Sequence, residues 1–159
     1  MTRALGFLHR LSIGLWLGAM VGFAALVAPA AFKVLPTRQL AGELVNGVLY
    51  PLDLMGLVLG VIALITGIAL EGGLPERSSK VRAAALGLML LCAGTSRFYV
   101  SPTLHEIRES FGGKPVDEVP KEDPRRATFG KLHGVSTGLM SLELLAGLVV
   151  VFFAPKPRD

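Results

Sequence analysis

Residues 132–154 read LHGVSTGLMSLELLAGLVVVFFA: 23 residues broken by a single charge, Glu143. A helix that crosses the hydrocarbon needs roughly 20 apolar residues, so this stretch is long enough to span a membrane alone. Working outward, Leu11–Phe32 gives 22 residues without a charge, and Leu54–Leu70 gives 17, preceded across Asp53 by the uncharged Leu44–Leu52. Ala83–Ser96 gives 14. Over the whole chain 52% of residues are hydrophobic and only 18% charged, against about 25% charged in an ordinary soluble domain. The pattern predicts an all-α polytopic membrane protein: one four-helix bundle over residues 1–159, in contact with the lipid bilayer.

The expected spans are Leu5–Phe32, Pro51–Leu70, Lys80–Ser101 and Gly130–Phe153, the last begun early by Asp123 as cap and Pro124 as first helical residue. Short interfacial helices are expected in two connections. One follows Pro36-Thr37, with Leu40, Leu44 and Val48 on one face. The other follows Ser101-Pro102, with Leu104, Ile107 and Phe111 on one face until Gly112-Gly113. Arg3, Arg10 and the small-residue run Ala28–Ala31 imitate a signal peptide, but the apolar stretch exceeds the roughly 7–15 residues of a signal core. An uncleaved anchor is expected.

The net charge is +4 and the pI about 9.6. The cations cluster at segment ends, which suits headgroups and gives no soluble face for nucleic acid. Four spans put both termini on one side, with Arg3, Arg10, Arg77, Lys80, Arg82, Lys156 and Arg158. The other side has Lys33, Arg38, Arg97, Arg108, Lys114, Lys121, Arg125, Arg126 and Lys131. The compact basic turn at 77–82 favours cytoplasmic termini, in a plasma (inner) membrane for a bacterial chain.

Glycines recur four apart at Gly14, Gly18 and Gly22, and again at Gly130, Gly134 and Gly138, while Gly56, Gly60 and Gly67 share a face with Asp53. Small residues let helix backbones approach in lipid, so these faces are expected to pack helices, within the chain or against a second copy or another membrane protein.

Polar residues form stripes. His133, Ser136, Met140 and Glu143 share a helix face; His9, Ser12, Trp16 and Met20 do so opposite Gly14 and Gly18; Met89, Cys92, Ser96 and Tyr99 repeat the spacing. A charge at mid-bilayer costs about 2.5–3.5 kcal/mol, against about 0.3–0.6 returned by each Leu, Val or Phe, so the helix inserts and the carboxyl is best turned inward. Trp16, at comparable depth, can donate its indole N–H. An ion or substrate pathway of Glu143, His133, Ser136 and Trp16 is expected. Arg97 lies only 14 uncharged residues from Arg82, under the membrane edge, and Asp53 is its expected ion-pair partner, with snorkelling of both groups the other reading.

No nucleophile–base pair, phosphate loop or metalloprotease spacing occurs, so an enzyme has little support. His9 and His133 lie at opposite edges and cannot share one metal, and solvated or interfacial histidines are expected. His105 with Glu106 and Glu109 could form a surface metal site. Met residues and Cys92 are soft ligands of the kind copper(I) takes, but helical spacing equally fits packing. The one cysteine forms no disulfide within the chain. No cofactor is expected, with haem or copper left open.

LHRLSIGLWLGAM (8–20), VAPAAFKVLP (27–36), AGELVNGVLYPLDLMGLVLG (41–60), SRFYVSP (96–102) and FGKLHGVSTGLMSLELLAG (129–147) together resemble the transmembrane protein 205-like family, also called domain of unknown function 4149. The resemblance implies a small four-helix membrane protein, in a family associated with resistance to metal-containing toxic compounds. A looser likeness of the first helix is to haem- or copper-associated four-helix membrane proteins. Three functions follow as expectations: transport or handling of a small solute or metal species, as a homo-oligomer; an accessory subunit of a membrane complex; and a haem or copper binder.

Overall fold

The computed structural model describes residues 2–74 and 76–153; Lys156 and Arg158, counted above for orientation, lie outside them. Among the described residues there are helices and turns and no strand. α1 (Thr2–Gly22) runs through a π-helical turn, Phe23–Val27, into α2 (Ala28–Val34). α3 is Arg38–Glu71; α4 (Arg77–Thr95) continues through a second π turn, Ser96–Val100, into α5 (Ser101–Glu109); a 3-10 turn, Val116–Glu118, precedes α6 (Pro124–Phe152). Four helical runs are long and apolar enough to cross a membrane: Arg3–Val34, Arg38–Glu71, Arg77–Glu109 and Pro124–Phe152.

The stretches expected as separate interfacial helices are continuous with the spans. Pro51 sits inside α3. It removes one backbone donor, and a membrane helix tolerates that loss where neighbouring helices pack around it. At 1.5 Å per residue, 34 residues reach about 51 Å, well beyond the hydrocarbon, so the first turns of α3 stand outside it. The two π turns share a cause. Each ends two residues before a proline, Pro29 or Pro102. A proline ring collides with the carbonyl four residues back, and a widened turn carries that carbonyl aside.

Local chemistry sets the ends. The Thr37 hydroxyl accepts from the Leu40 amide at 3.2 Å. Gly72 closes α3 at φ 67°, a left-handed conformation that a side chain disfavours. Asp123 caps α6 through the Arg125 amide at 2.8 Å and pairs with the Arg125 guanidinium at 2.7 Å. Arg125 also donates to the Ser110 carbonyl at 2.8 Å, and Arg126 to that of Val119, which ties the long loop to α6. Arg125 holds the Asp123 carboxyl below its ordinary value. The cap is therefore complete above the unfolded carboxyl's titration and is lost as pH falls through the lower folded one. Asp123→Ala should speed amide exchange in the first turn of α6 at neutral pH, and acid should do the same to the native chain; equal exchange in both proteins at neutral pH would refute this.

α1 packs on α3, α3 on α4 and α4 on α6, while α1 and α6 close the ring with less contact. Trp16, Met20, Leu86, Met89 and Val150 fill the centre. Leu26, Leu91, Phe98 and Phe152 lie outward, as they should in contact with acyl chains. Among the nine glycines read as packing faces, only those of α3 are used inside the bundle. Gly14, Gly18, Gly22, Gly130, Gly134 and Gly138 have open space where a Cβ would stand, nothing within 4 Å. They face away from the core and do not join helices of this chain.

Candidate functional site: a buried carboxyl pair

Glu143 is 4% exposed, on the one stretch of α6 that enters the core, with Ala146, Gly147 and Val150. Trp16 of α1, 1% exposed, is its buried polar neighbour. Trp16 reaches it because α3 has no side chains in the way. A Cβ on Gly56 would fall on the indole Nε1, and one on Gly60 would stand 2.5 Å from Cζ3. One turn beyond Gly56, Asp53 is also buried and accepts a 2.7 Å hydrogen bond from the Ser96 hydroxyl. Among the described residues, Asp53 and Glu143 are the two carboxyls buried in the bundle, and Cys92 of α4 is buried as well. Two carboxyls from α3 and α6, an indole from α1 and a hydroxyl from the end of α4 are thus all buried inside the bundle.

The expected Asp53–Arg97 ion pair does not form. Ser96 faces Asp53, and the next residue on a helix points about 100° away. Arg97 instead lies over the Tyr50 ring, its guanidinium carbon 3.2 Å from the centroid. Its Nε is buried without a partner. Ser96→Ala should leave a buried Asp53 oxygen without a donor and cost about 1–3 kcal/mol, read as thermal unfolding in micelles; Arg97→Gln, which leaves that bond intact, should cost less. The reverse order would restore the ion pair as the better account.

Of the expected pathway, Glu143 and Trp16 come together and His133 does not. His133 is exposed and stacks on Phe129, with ring planes 2° apart, and Ser136 is half-buried. The buried residues of α6 all lie in its carboxy-terminal half, so the amino-terminal part of the stripe is outside the core. Tyr99 departs from its stripe for another reason. The π turn adds a residue, so Val100, fully buried, takes the inward place and Tyr99 turns outward.

A second polar cluster lies at the other end of the bundle. Arg82, 3% exposed, pairs with Glu71 and donates to the last carbonyl of the α6 turn, Phe153, at 2.9 Å. Ser79, also buried, lies one turn before Arg82 on α4. Beside them His9 is 2% exposed, against the expectation of a solvated or interfacial histidine, because it sits over Gly67 and hydrogen-bonds to the Ala63 carbonyl at 2.9 Å. The basic turn at 77–82 expected above is instead the start of α4, with Arg82 turned inward. The only signal of the Glu71–Arg82 pairing was opposite charge at facing helix ends. It also removes Arg82 from the free loop cations that bear on orientation.

Among the described residues no three His, Cys, Asp or Glu side chains come together to hold a metal. His105 pairs only with Glu109, at 3.2 Å on the surface. His9 and His133 lie one in the core and one outside it, which gives haem no shared axial site.

These features define a multi-pass α-helical membrane protein with two carboxyls buried among its helices. The chain belongs to the family described as domain of unknown function (DUF4149), whose model matches residues 11–110. No curated protein and no solved structure matches it. The matched residues contain Trp16, Asp53, Gly56, Gly60 and Ser96, and Glu143 lies beyond them.

Proposed function

We propose that the Asp53–Glu143 pair is a proton- or cation-exchanging site in a membrane protein that moves or handles a small solute. The observation that carries this reading is the burial of both carboxyls inside the bundle, Asp53 with the Ser96 hydroxyl as donor and Glu143 beside Trp16. Ionisable groups inside a membrane bundle are costly to keep, and two carboxylates in one low-dielectric site repel each other. A proton or a small cation relieves that repulsion, and its arrival or departure changes the charge between α3 and α6. Coupling of that change to solute movement is the function proposed. The narrower likeness to transmembrane protein 205-like proteins makes metal-containing toxic compounds the first solutes to try. Cytoplasmic termini are retained on the basic turn at Arg77 and Lys80.

The test uses purified protein in liposomes, with protonation of a buried carboxyl followed by its infrared C=O band after a pH jump. Glu143→Gln should remove the band and Asp53→Asn should shift it. A spectrum unchanged by Glu143→Gln would end the proposal. A second reading, an accessory subunit, is favoured by the outward glycines of α1 and α6, which leave two faces open to a second copy or another membrane helix. Gly18→Leu with Gly134→Leu should then abolish co-purification of the partner while leaving the infrared band in place.

A further inference from the structure

His9 carries an atom that the acid pair does not explain. Its Nδ1 lies 2.9 Å from the Ala63 carbonyl, which only accepts, so Nδ1 bears the hydrogen. Thr66 confirms this: its hydroxyl donates to the Ile62 carbonyl at 2.6 Å and sits 3.3 Å from Nδ1 as an acceptor. The neutral ring therefore has its lone pair on Nε2, and Nε2 is buried with no partner. An unmet acceptor at this depth is costly unless it binds something.

We propose that His9 is a proton-binding site that exchanges protons between the Glu71–Arg82 end of the bundle and Glu143. This rests on the exchanging role assigned above to the carboxyl pair. The ring is buried, and the charged groups at this end of the bundle are Glu71 from α3, Arg82 from α4 and Arg10 from its own helix. Glu71 favours the imidazolium; Arg82 and Arg10 oppose it. Ser12, 1% exposed, lies one turn further along the same face, and Trp16 a turn beyond, about 10 Å of helix rise from His9 to the level of the acid pair.

The transfer is a proton relay through water. An O–H bond of a protonated water breaks as the Nε2–H bond forms, giving imidazolium. That bond then breaks to a second water. The Ser12 hydroxyl accepts one proton and releases another, and the last transfer forms the O–H of the Glu143 carboxyl. The indole N–H of Trp16 donates only and orients the carboxyl without passing a proton. Glu71, 16% exposed, is the group nearest the surface.

His9→Asn tests it, because the asparagine amide can keep the bond to Ala63 while nothing titratable replaces Nε2. After a pH jump on protein in liposomes, the Glu143 band should appear in both proteins, at least about ten-fold slower in His9→Asn. Equal rates would overturn the His9 proposal and leave the acid pair standing. A band missing from the native protein would sink the acid pair and, with it, the relay. The second measurement needs no change at His9: 15N-histidine spectra of the full chain, assigned with the exposed His105→Asn and His133→Asn variants. The third resonance should pass from the Nδ1–H tautomer to imidazolium on acidification. A ring that stays neutral until the protein unfolds would overturn the proposal.

Discussion

Gly60→Leu should cost about 1–3 kcal/mol or more and lower the unfolding midpoint in micelles, while Gly18→Leu should move it by no more than about 0.5 kcal/mol. Both glycines belong to apolar spans and both were read as packing positions. They differ in what surrounds them. A Cβ on Gly60 would stand 2.5 Å from Trp16 and 2.7 Å from Leu90, side chains of two different helices, so no single shift relieves both. One on Gly18 meets nothing within 4 Å. The loss at Gly60 should also separate Trp16 from Glu143, so tryptophan fluorescence should change with stability. For Gly56→Ala the collision is with the indole alone, and Trp16→Ala should therefore recover part of the loss in a double-mutant cycle. Similar losses at Gly18 and Gly60 would show that the glycines act by backbone flexibility and not by admitting Trp16.

Arg82→Met should be the most damaging single change at the opposite end, at about 3–5 kcal/mol. It leaves the Glu71 carboxylate half inside the bundle without its cation and frees the Phe153 carbonyl from its donor. The double variant Glu71→Met with Arg82→Met should regain most of the loss, because removing both charges also removes the cost of desolvating them. Added salt should affect the native protein little, since screening acts weakly on a buried pair. A double variant as unstable as Arg82→Met alone would mean that the bond to Phe153, and not the ion pair, joins α4 to α6.

Much of this architecture was legible from the chain alone, for a physical reason. Membrane insertion depends on summed transfer energy along a segment, and caps depend on residues a few positions apart. Both are local. The four apolar runs, the Asp123-Pro124 start and the shared face of Ser12, Trp16 and Met20 are of this kind. So is the inward turn of Glu143, which follows from the cost of showing a carboxyl to hydrocarbon.

What the tertiary structure decided is partner choice. A GxxxG spacing is the same whether it faces a neighbouring helix or lipid, so only packing distinguishes Gly60 from Gly18. Asp53 had a cation and a hydroxyl within reach in adjacent positions, and the rotation of α4 gave it Ser96. One extra residue in a π turn exchanged Tyr99 for Val100, and the packing of α6 buried its carboxy-terminal half with Glu143 and left His133 exposed. Glu71 and Arg82 met because two helix ends came together. Each of these outcomes depends on distances between helices, which are set when whole faces interlock, and no window of neighbouring residues contains them.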